Sequence, residues 1–125
     1  MNSTYVEFYI ATLARKPVPP SPRLTLPTAM VLMAVSRNYR YGFDISDVTG
    51  LPSGTVYPVL RRLEDAGLLR SRWEAVETAR EEQRPPRRYY TVTGSGAQAI
   101  RDATDRYPAL ARAFGASPNP DPRPA

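Results

Sequence analysis

Leu51 to Leu69 reads LPSGTVYPVLRRLEDAGLL. Val56, Leu60 and Leu63 recur at i, i+4 and i+7, the spacing of one apolar helix face. Thr55, Tyr57, Arg61, Arg62 and Glu64 fall largely elsewhere on the same helix. Ser53 stands where an N-cap belongs, and Gly67 where a glycine closes a helix. The pattern predicts a short, capped helix with a core stripe and a surface of hydroxyls, a phenol and two guanidiniums. Such groups reach phosphates and base edges, so this is read as a recognition helix. Pro58 is expected just beyond the first turn, where a lost backbone hydrogen bond costs least, and it turns Tyr57 outward. Arg61 and Arg62 are adjacent, so at most one points straight at a groove; the other is expected to pair with Glu64 or Asp65.

Two helices precede this one. The first is expected over Leu26 to Arg37, with Thr25 as cap and Pro27 in the first turn, where its missing N–H is harmless. Ala29, Met30, Leu32, Met33 and Val35 make it apolar almost all round, hence buried. The second is expected from Tyr41 to Thr49, ending at Gly50, with Ile45 and Val48 toward the core and Phe43 or Tyr41 as a further anchor. Asp44 and Asp47 share a face but have no further ligand beside them and read as solvated. Two short helices joined by a tight glycine turn form a helix-turn-helix.

After Gly67 the period changes to two: Leu69, Ser71 and Trp73 alternate with Arg70, Arg72 and Glu74, the signature of a strand. Arg87 to Val92 (RRYYTV) is its return partner. VETAREEQRPP between them is too long for a tight turn and is read as an extended wing tip. Arg80 and Arg84 at the tip, with Arg87 and Arg88 on the return strand, are placed to meet a phosphate backbone or a minor groove. Glu77, Glu81 and Glu82 weaken that reading for the tip, which also fits a solvated loop. Trp73 is read as a packing residue. Thr93 caps a last helix in which Ile100, Ala103, Tyr107, Leu110 and Phe114 are spaced 3, 4, 3, 4, the seam of a helix packing on another helix. Pro108 is expected to bend or divide it.

The resulting division is 1–15, an N-terminal helix with Tyr5, Phe8 and Tyr9 near one face; 16–24, a proline-rich linker; 25–92, the DNA-binding domain; 93–115, a C-terminal helix; and 116–125, a disordered tail. The fold class is mainly α with a small β-hairpin (α+β).

Composition narrows the function. The chain has 125 residues and a net charge of +5, and sixteen of its seventeen basic residues are Arg. Arginine suits phosphate and guanine through its planar fork of donors, although a GC-rich genome explains the same bias. There is no Cys and no His. That removes disulfides, thiolate metal sites and the commonest general base, so neither a metal nor a cofactor is expected. No apolar run approaches the roughly 20 residues that cross a bilayer, and no signal peptide is read at the N-terminus. A cytoplasmic, nucleoid-associated protein is expected, with no membrane partner.

The order of elements over about Leu24 to Leu110 resembles the winged helix-turn-helix regulators of the PadR family. Family members read His-Gly-Tyr-x-Ile at the second helix; here it is Tyr41-Gly42-Phe43-Asp44-Ile45. The family's recognition helix resembles Ser-x-Gly-Thr-Leu-Tyr-Pro-x-Leu-x-x-Leu-Glu, and Ser53-Gly54-Thr55-Val56-Tyr57-Pro58-Val59-Leu60-Arg61-Arg62-Leu63-Glu64 lies close to it. Ala66-Gly67-Leu68-Leu69, Trp73-Glu74 and Pro86-Arg87-Arg88-Tyr89-Tyr90-Thr91-Val92-Thr93 with Gly96 follow the same pattern. The departures are Tyr41 for the usual His, a short second helix and a long acidic wing tip. The resemblance implies a homodimeric repressor of double-stranded DNA on a near-palindromic operator, of the branch with a short C-terminal helix, released by a small hydrophobic effector. It implies DNA contacts from Tyr41, Ser53, Thr55, Tyr57, Pro58, Arg61, Arg62, Arg87 and Arg88. It implies a dimer interface from Tyr5, Phe8, Tyr9, Ile100, Ala103, Tyr107, Leu110 and Phe114, whose aromatics would line any effector pocket. The alternative is a winged helix used for protein contact without sequence-specific DNA binding. With no nucleophile, phosphate loop or paired carboxylates, an enzyme is not expected.

Overall fold

The computed structural model describes residues 23–113. The expected N-terminal helix, most of the proline-rich linker, Tyr5, Phe8, Tyr9, Phe114 and the tail lie outside the described residues.

The chain opens with α1 (Leu26–Ser36), in which Thr25 is the N-cap and accepts the Thr28 N–H. Val31, Leu32, Met33, Ala34 and Val35 are all buried, so α1 is the central post of the core. A tight turn through Asn38, at φ +69°, leads to α2 (Gly42–Thr49). Gly50 closes α2 at φ +74°, a left-handed conformation that glycine adopts without a Cβ penalty. The helix α3 (Ser53–Asp65) follows after three residues, and Val56, Val59, Leu60 and Leu63 are its buried stripe.

Two local expectations about α3 change. Its N-cap is Pro52, with no side-chain cap, and Ser53 is the first helical residue. Pro52 accepts the Thr55 and Val56 N–H groups through its backbone carbonyl, which closes the first turn without a hydroxyl. Pro58 is the sixth residue of the helix, a full turn deeper than the free N–H groups. Its ring therefore costs the bond to the Gly54 carbonyl, and because Gly54 is exposed that carbonyl is left to solvent.

Gly67, at φ +76°, turns the chain into β1 (Leu69–Trp73), which pairs antiparallel with β2 (Arg88–Val92) from Leu69 opposite Val92 to Trp73 opposite Arg88. The sheet is widened by one backbone bridge: the Tyr90 N–H donates to the Arg40 carbonyl at 2.8 Å, which pulls the turn before α2 against the free edge of β2.

The wing tip is not an extended loop. Residues Val76–Glu81 form a short helix, α4, anchored by buried Ala79. A charged cluster fixes it. The Arg84 guanidinium donates to both Glu74 oxygens, at 2.5 and 2.8 Å, and the Tyr89 hydroxyl donates to Glu74 at 3.0 Å. Glu74 is the one buried charged side chain among the described residues. Hydrogen bonding from Arg84, then from Tyr89 and the Arg87 N–H, outweighs the opposing effect of burial and holds its carboxyl at about 2, against an ordinary 4.5. The same pairing pushes the Arg84 guanidinium further up.

Thr93 caps α5 (Gly94–Arg106) by accepting the Gly96 N–H, and its hydroxyl donates to the Gly67 carbonyl at 2.6 Å. Gly96 sits so close to the Leu68 carbonyl that no side chain would fit there. Tyr107 and Pro108 divide the last helix, and α6 (Ala109–Ala113) follows. The 3, 4 stripe meets α1 of the same chain: Ala103 and Leu110 are buried, with Ile100 and Tyr107 half-buried on the same core. The Tyr107 hydroxyl and Arg106 both donate to the Leu24 carbonyl, tying the two ends of the described chain together. The result is a mainly helical winged helix fold with a two-stranded antiparallel hairpin.

Candidate nucleic-acid interface

Burying Val56, Leu60 and Leu63 against α1 leaves the opposite face of α3 outward. Tyr57 is 54% exposed, and Arg61 and Arg62 are exposed beside it. The hairpin then rises next to α3, and the two enclose an open groove of about 800 Å³. Its floor and walls come from Tyr57, Arg61, Glu64 and Asp65 of α3, from Tyr41, Gly42 and Phe43 at the start of α2, and from Trp73, Arg87, Arg88 and Tyr90 of the hairpin.

The groove's shape depends on a glycine. A Cβ on Gly42 would lie 2.5 Å from the Tyr57 ring, so the phenol rests against the bare backbone where α2 begins. Tyr41 supports the same corner from beneath. It is buried, its ring meets Tyr89 edge to face at 5.6 Å, and the Arg87 guanidinium lies 4.1 Å above it. Burial turns Tyr41 into scaffold first: what it offers the groove is a stacking base for Arg87. The Arg87 Nη1 is buried without a hydrogen-bond partner, an orphaned donor at the groove wall.

Arg88 is held differently. Its Nε donates to the Ser71 hydroxyl at 2.8 Å, its Nη2 pairs with Glu64 at 3.4 Å, and its guanidinium lies 5.4 Å from the Trp73 ring. Ser71 in turn donates to Glu64 at 2.5 Å. Glu64 is thus engaged by the hairpin, and the expected pairing of Glu64 with Arg61 or Arg62 is replaced by a bridge from α3 to β2. Arg61 lines the groove; Arg62 lies outside its lining. The Tyr90 hydroxyl is pushed up by burial, which keeps it a neutral donor.

Of the residues expected at this surface, the structure gathers Tyr41, Tyr57, Arg61, Arg87 and Arg88 into one groove. Thr55, Ser53 and Pro58 lie on the N-terminal half of α3 outside its lining. Arg84, expected at an exposed tip, is instead committed to Glu74 and Glu82. Two residues expected to pack inward do not: Tyr41, and not Phe43, is the buried anchor of α2, and Trp73 is uncovered. Phe43 is 71% exposed and Trp73 is 63% exposed, and both face the groove. Trp73 is therefore not a packing residue: it shares a strand face with buried Leu69, yet its ring is left open at the groove beside Arg88.

Exposed aromatics beside arginines, a groove between a helix and a hairpin, and a helix-turn-helix beneath them are the parts of a nucleic-acid-binding surface. Comparison with known proteins agrees. A family model for the transcriptional regulator PadR-like family matches residues 31–102. The chain belongs to the PadR-like family of transcriptional regulators. Members of that family are DNA-binding transcription factors, not enzymes. Among solved structures the chain is similar to smu.1704 from Streptococcus mutans UA159, at 30% identity over 74% of this chain and 84% of that one, with a TM-score of 0.56. It is similar to a PadR family transcriptional regulator from Eggerthella lenta, at 22% identity over 91% and 95% of the two chains and a TM-score of 0.51. It shares the fold of Bordetella bronchiseptica BpsR, at 19% identity over 97% and 88% and a TM-score of 0.58. No curated protein sequence matches the chain. No helix among the described residues is long and apolar enough to cross a membrane, and no cluster of three metal-ligating side chains occurs among them.

Proposed function

We propose that this PadR-like chain is a homodimeric repressor that reads a near-palindromic operator, with α3 in the major groove and the hairpin against the backbone beside it. The groove between α3 and the hairpin carries this reading. It is open along its length and aromatic at its edges, and it has three arginines against two carboxylates, one of which Arg88 already engages. A sugar-phosphate strand suits that lining. Phosphate oxygens accept from Arg87, Arg88 and the Tyr57 hydroxyl, and deoxyribose faces pack on Phe43 and Trp73. Thr55, at the N-terminal end of α3, and Arg61, nearly two turns further on and on the Tyr57 face, reach the bases, each good contact contributing roughly 1–3 kcal/mol of discrimination. Ser53, in the first turn of α3, and Pro58, at its sixth position, lie beside the backbone, and Arg62, seven residues after Thr55 and on the same stripe, reaches it as well.

Two recognition helices in successive major grooves require a two-fold dimer. Its contacts fall to Ile100 and Tyr107 at the edge of the C-terminal stripe, together with Tyr5, Phe8, Tyr9 and Phe114, while Ala103 and Leu110 support that helix from the core side. BpsR is a protein whose DNA binding is regulated by 6-hydroxynicotinic acid; release of this chain by a small hydrophobic effector at the dimer interface is the corresponding proposal. Occupying a promoter blocks polymerase.

The test is binding to the DNA upstream of the chain's own gene and to a scrambled duplex of equal length, across salt concentrations. Tight binding to the first alone, with a protected two-fold site, supports the proposal. Equal and steeply salt-dependent binding to both refutes sequence reading. That second outcome would favour a protein-contact role, for which exposed Phe43 and Trp73 are the available surface.

A further inference from the structure

The groove between α3 and the hairpin carries more aromatic surface than a duplex uses. Five large apolar side chains are exposed among the described residues, and three of them, Phe43, Tyr57 and Trp73, line this one groove. In a duplex the bases lie stacked inside and offer only their edges, so a flat ring outside meets sugar and phosphate. An unpaired strand offers base faces as well, and aromatic rings stack on them whatever the base.

Trp73 has the setting of such a platform. It ends β1 opposite Arg88, whose guanidinium lies 5.4 Å from the ring centroid. Arg88 is itself tied down, by its Nε on the Ser71 hydroxyl and by Glu64 from α3. A held cation therefore covers part of the indole, while most of the ring stays open at the groove. A ring ordered before its partner arrives has little freedom left to lose on binding. The charge around it suits a single phosphate chain. Glu64 and Arg88 neutralise one another, which leaves Arg61 and Arg87 against Asp65 on the groove walls, an excess of one positive charge. Stacking rings along a modestly basic groove are the two parts of a single-strand site.

We propose that this groove is also a site for single-stranded DNA, with one unpaired base stacked on Trp73, a neighbouring base against Phe43, and the phosphates of the strand toward Arg61 and Arg87. Because the same side chains face the duplex, strand and duplex compete for the groove. That competition rests on the DNA-binding reading above; the affinity for the strand does not. DNA melted beside the bound protein supplies the strand at high local concentration, so opening of the duplex loosens the protein's hold on it. The same origin assigns the strand as DNA, and a deoxyribose sets an apolar edge on Phe43 where a ribose would bury a hydroxyl.

Trp73 is the one tryptophan in the chain, so its emission reports stacking directly. The probes are an oligodeoxythymidylate of about a dozen residues, an abasic strand of the same length and charge, and the matching oligouridylate. Binding is read by Trp73 emission and by the anisotropy of end-labelled strands, with wild type, W73L and W73F, and circular dichroism checks that the variants fold. The expected result is that thymidylate quenches the emission saturably and binds wild type about tenfold tighter than the abasic strand at equal salt. W73L loses that advantage while holding the abasic strand as wild type does, and W73F keeps most of it. Thymidylate also releases a labelled duplex selected by the wild-type protein from a random pool. Four results overturn the proposal: equal binding of thymidylate and abasic strands, which leaves charge attraction alone; an equal loss by W73L on both; tighter binding of uridylate, which makes the occupant RNA; or quenching without release of the duplex, which puts strand and duplex at separate sites. The strand measurements need no duplex, so their failure leaves the duplex reading standing. Failure to select any duplex removes that reading and leaves the strand measurements as they are.

Discussion

Glu74→Gln separates the wing's internal lock from its DNA contacts. Wild-type Glu74 accepts two hydrogen bonds from Arg84, one from Tyr89 and a longer one, at 3.4 Å, from the Arg87 N–H. Glutamine keeps one acceptor oxygen but turns an amide donor toward groups that also donate. The Tyr89 hydroxyl, in a residue only 1% exposed, then has no full acceptor, at a cost of about 1–3 kcal/mol. Breaking a fully buried ion pair costs about 3–5 kcal/mol, but Arg84 keeps Glu82 and some solvent, so the pair's share is smaller and the total is about 2–3 kcal/mol. For a folded unit of this size that lowers the Tm by about 10–20 °C at pH 7. The pH dependence has a definite sign. The Glu74 carboxyl is depressed from 4.5 to about 2 in the folded chain, so its stabilisation is complete above pH 4.5 and is lost as pH falls toward 2. Thermal unfolding followed by circular dichroism at pH 7, 4.5, 3 and 2 should show the gap between wild type and variant closing across that window. A gap under 0.5 kcal/mol at pH 7, or one unchanged at pH 2, would refute the lock.

Other expectations follow from single contacts. Gly42→Ala places a methyl against the Tyr57 ring, which is exposed and free to swing away; operator affinity should fall about tenfold, roughly the weight of one good contact, with Tm changed little. Gly96→Ala drives a methyl into the Leu68 carbonyl and to 2.8 Å from Val92, neither of which can yield; a loss of about 2–4 kcal/mol in denaturant unfolding is expected, and a neutral result would place α5 wrongly against the hairpin. Arg61→Ala should reduce discrimination between operator and scrambled duplex, whereas Arg87→Ala should weaken both about equally and lower the salt slope by about 1.

Much of the fold was legible because its signals are periodic. The 3–4 spacing of Val56, Leu60 and Leu63, the cap at Thr25, the glycines at 50 and 67 and the alternation after Leu69 each depend on neighbours in sequence, and each element formed within a residue or two of its expected place. What stayed hidden depends on pairing across distance. Glu74 and Arg84 lie ten residues apart in a segment rich in both charges, and nothing local marks that pair as the one buried. The wing tip reads as polar loop for the same reason: α4 is six residues long and held by Ala79, too short for a helical period to show. Ser53 looked like a cap because serine is the usual one, yet the Pro52 carbonyl closes that turn.

At the surface, Tyr57, Arg61 and the Arg87–Arg88 pair were legible from residue type and position. Phe43 and Trp73 were not, because an aromatic at a core-compatible position looks identical whether the next element covers it or stops short. The 3, 4, 3, 4 stripe of the last helix shows the same ambiguity. It announces a helical partner without naming it, and within one chain Ala103 and Leu110 find that partner in α1.

The most direct test of the central claim, that α3 reads bases in the major groove, is methylation interference at guanine N7 on the selected duplex. Two clusters of interfering guanines, centred about 10 base pairs apart and related by two-fold symmetry, are the predicted pattern. Binding unaffected by any N7 methylation would contradict it and place the protein's grip on the backbone or the minor groove alone.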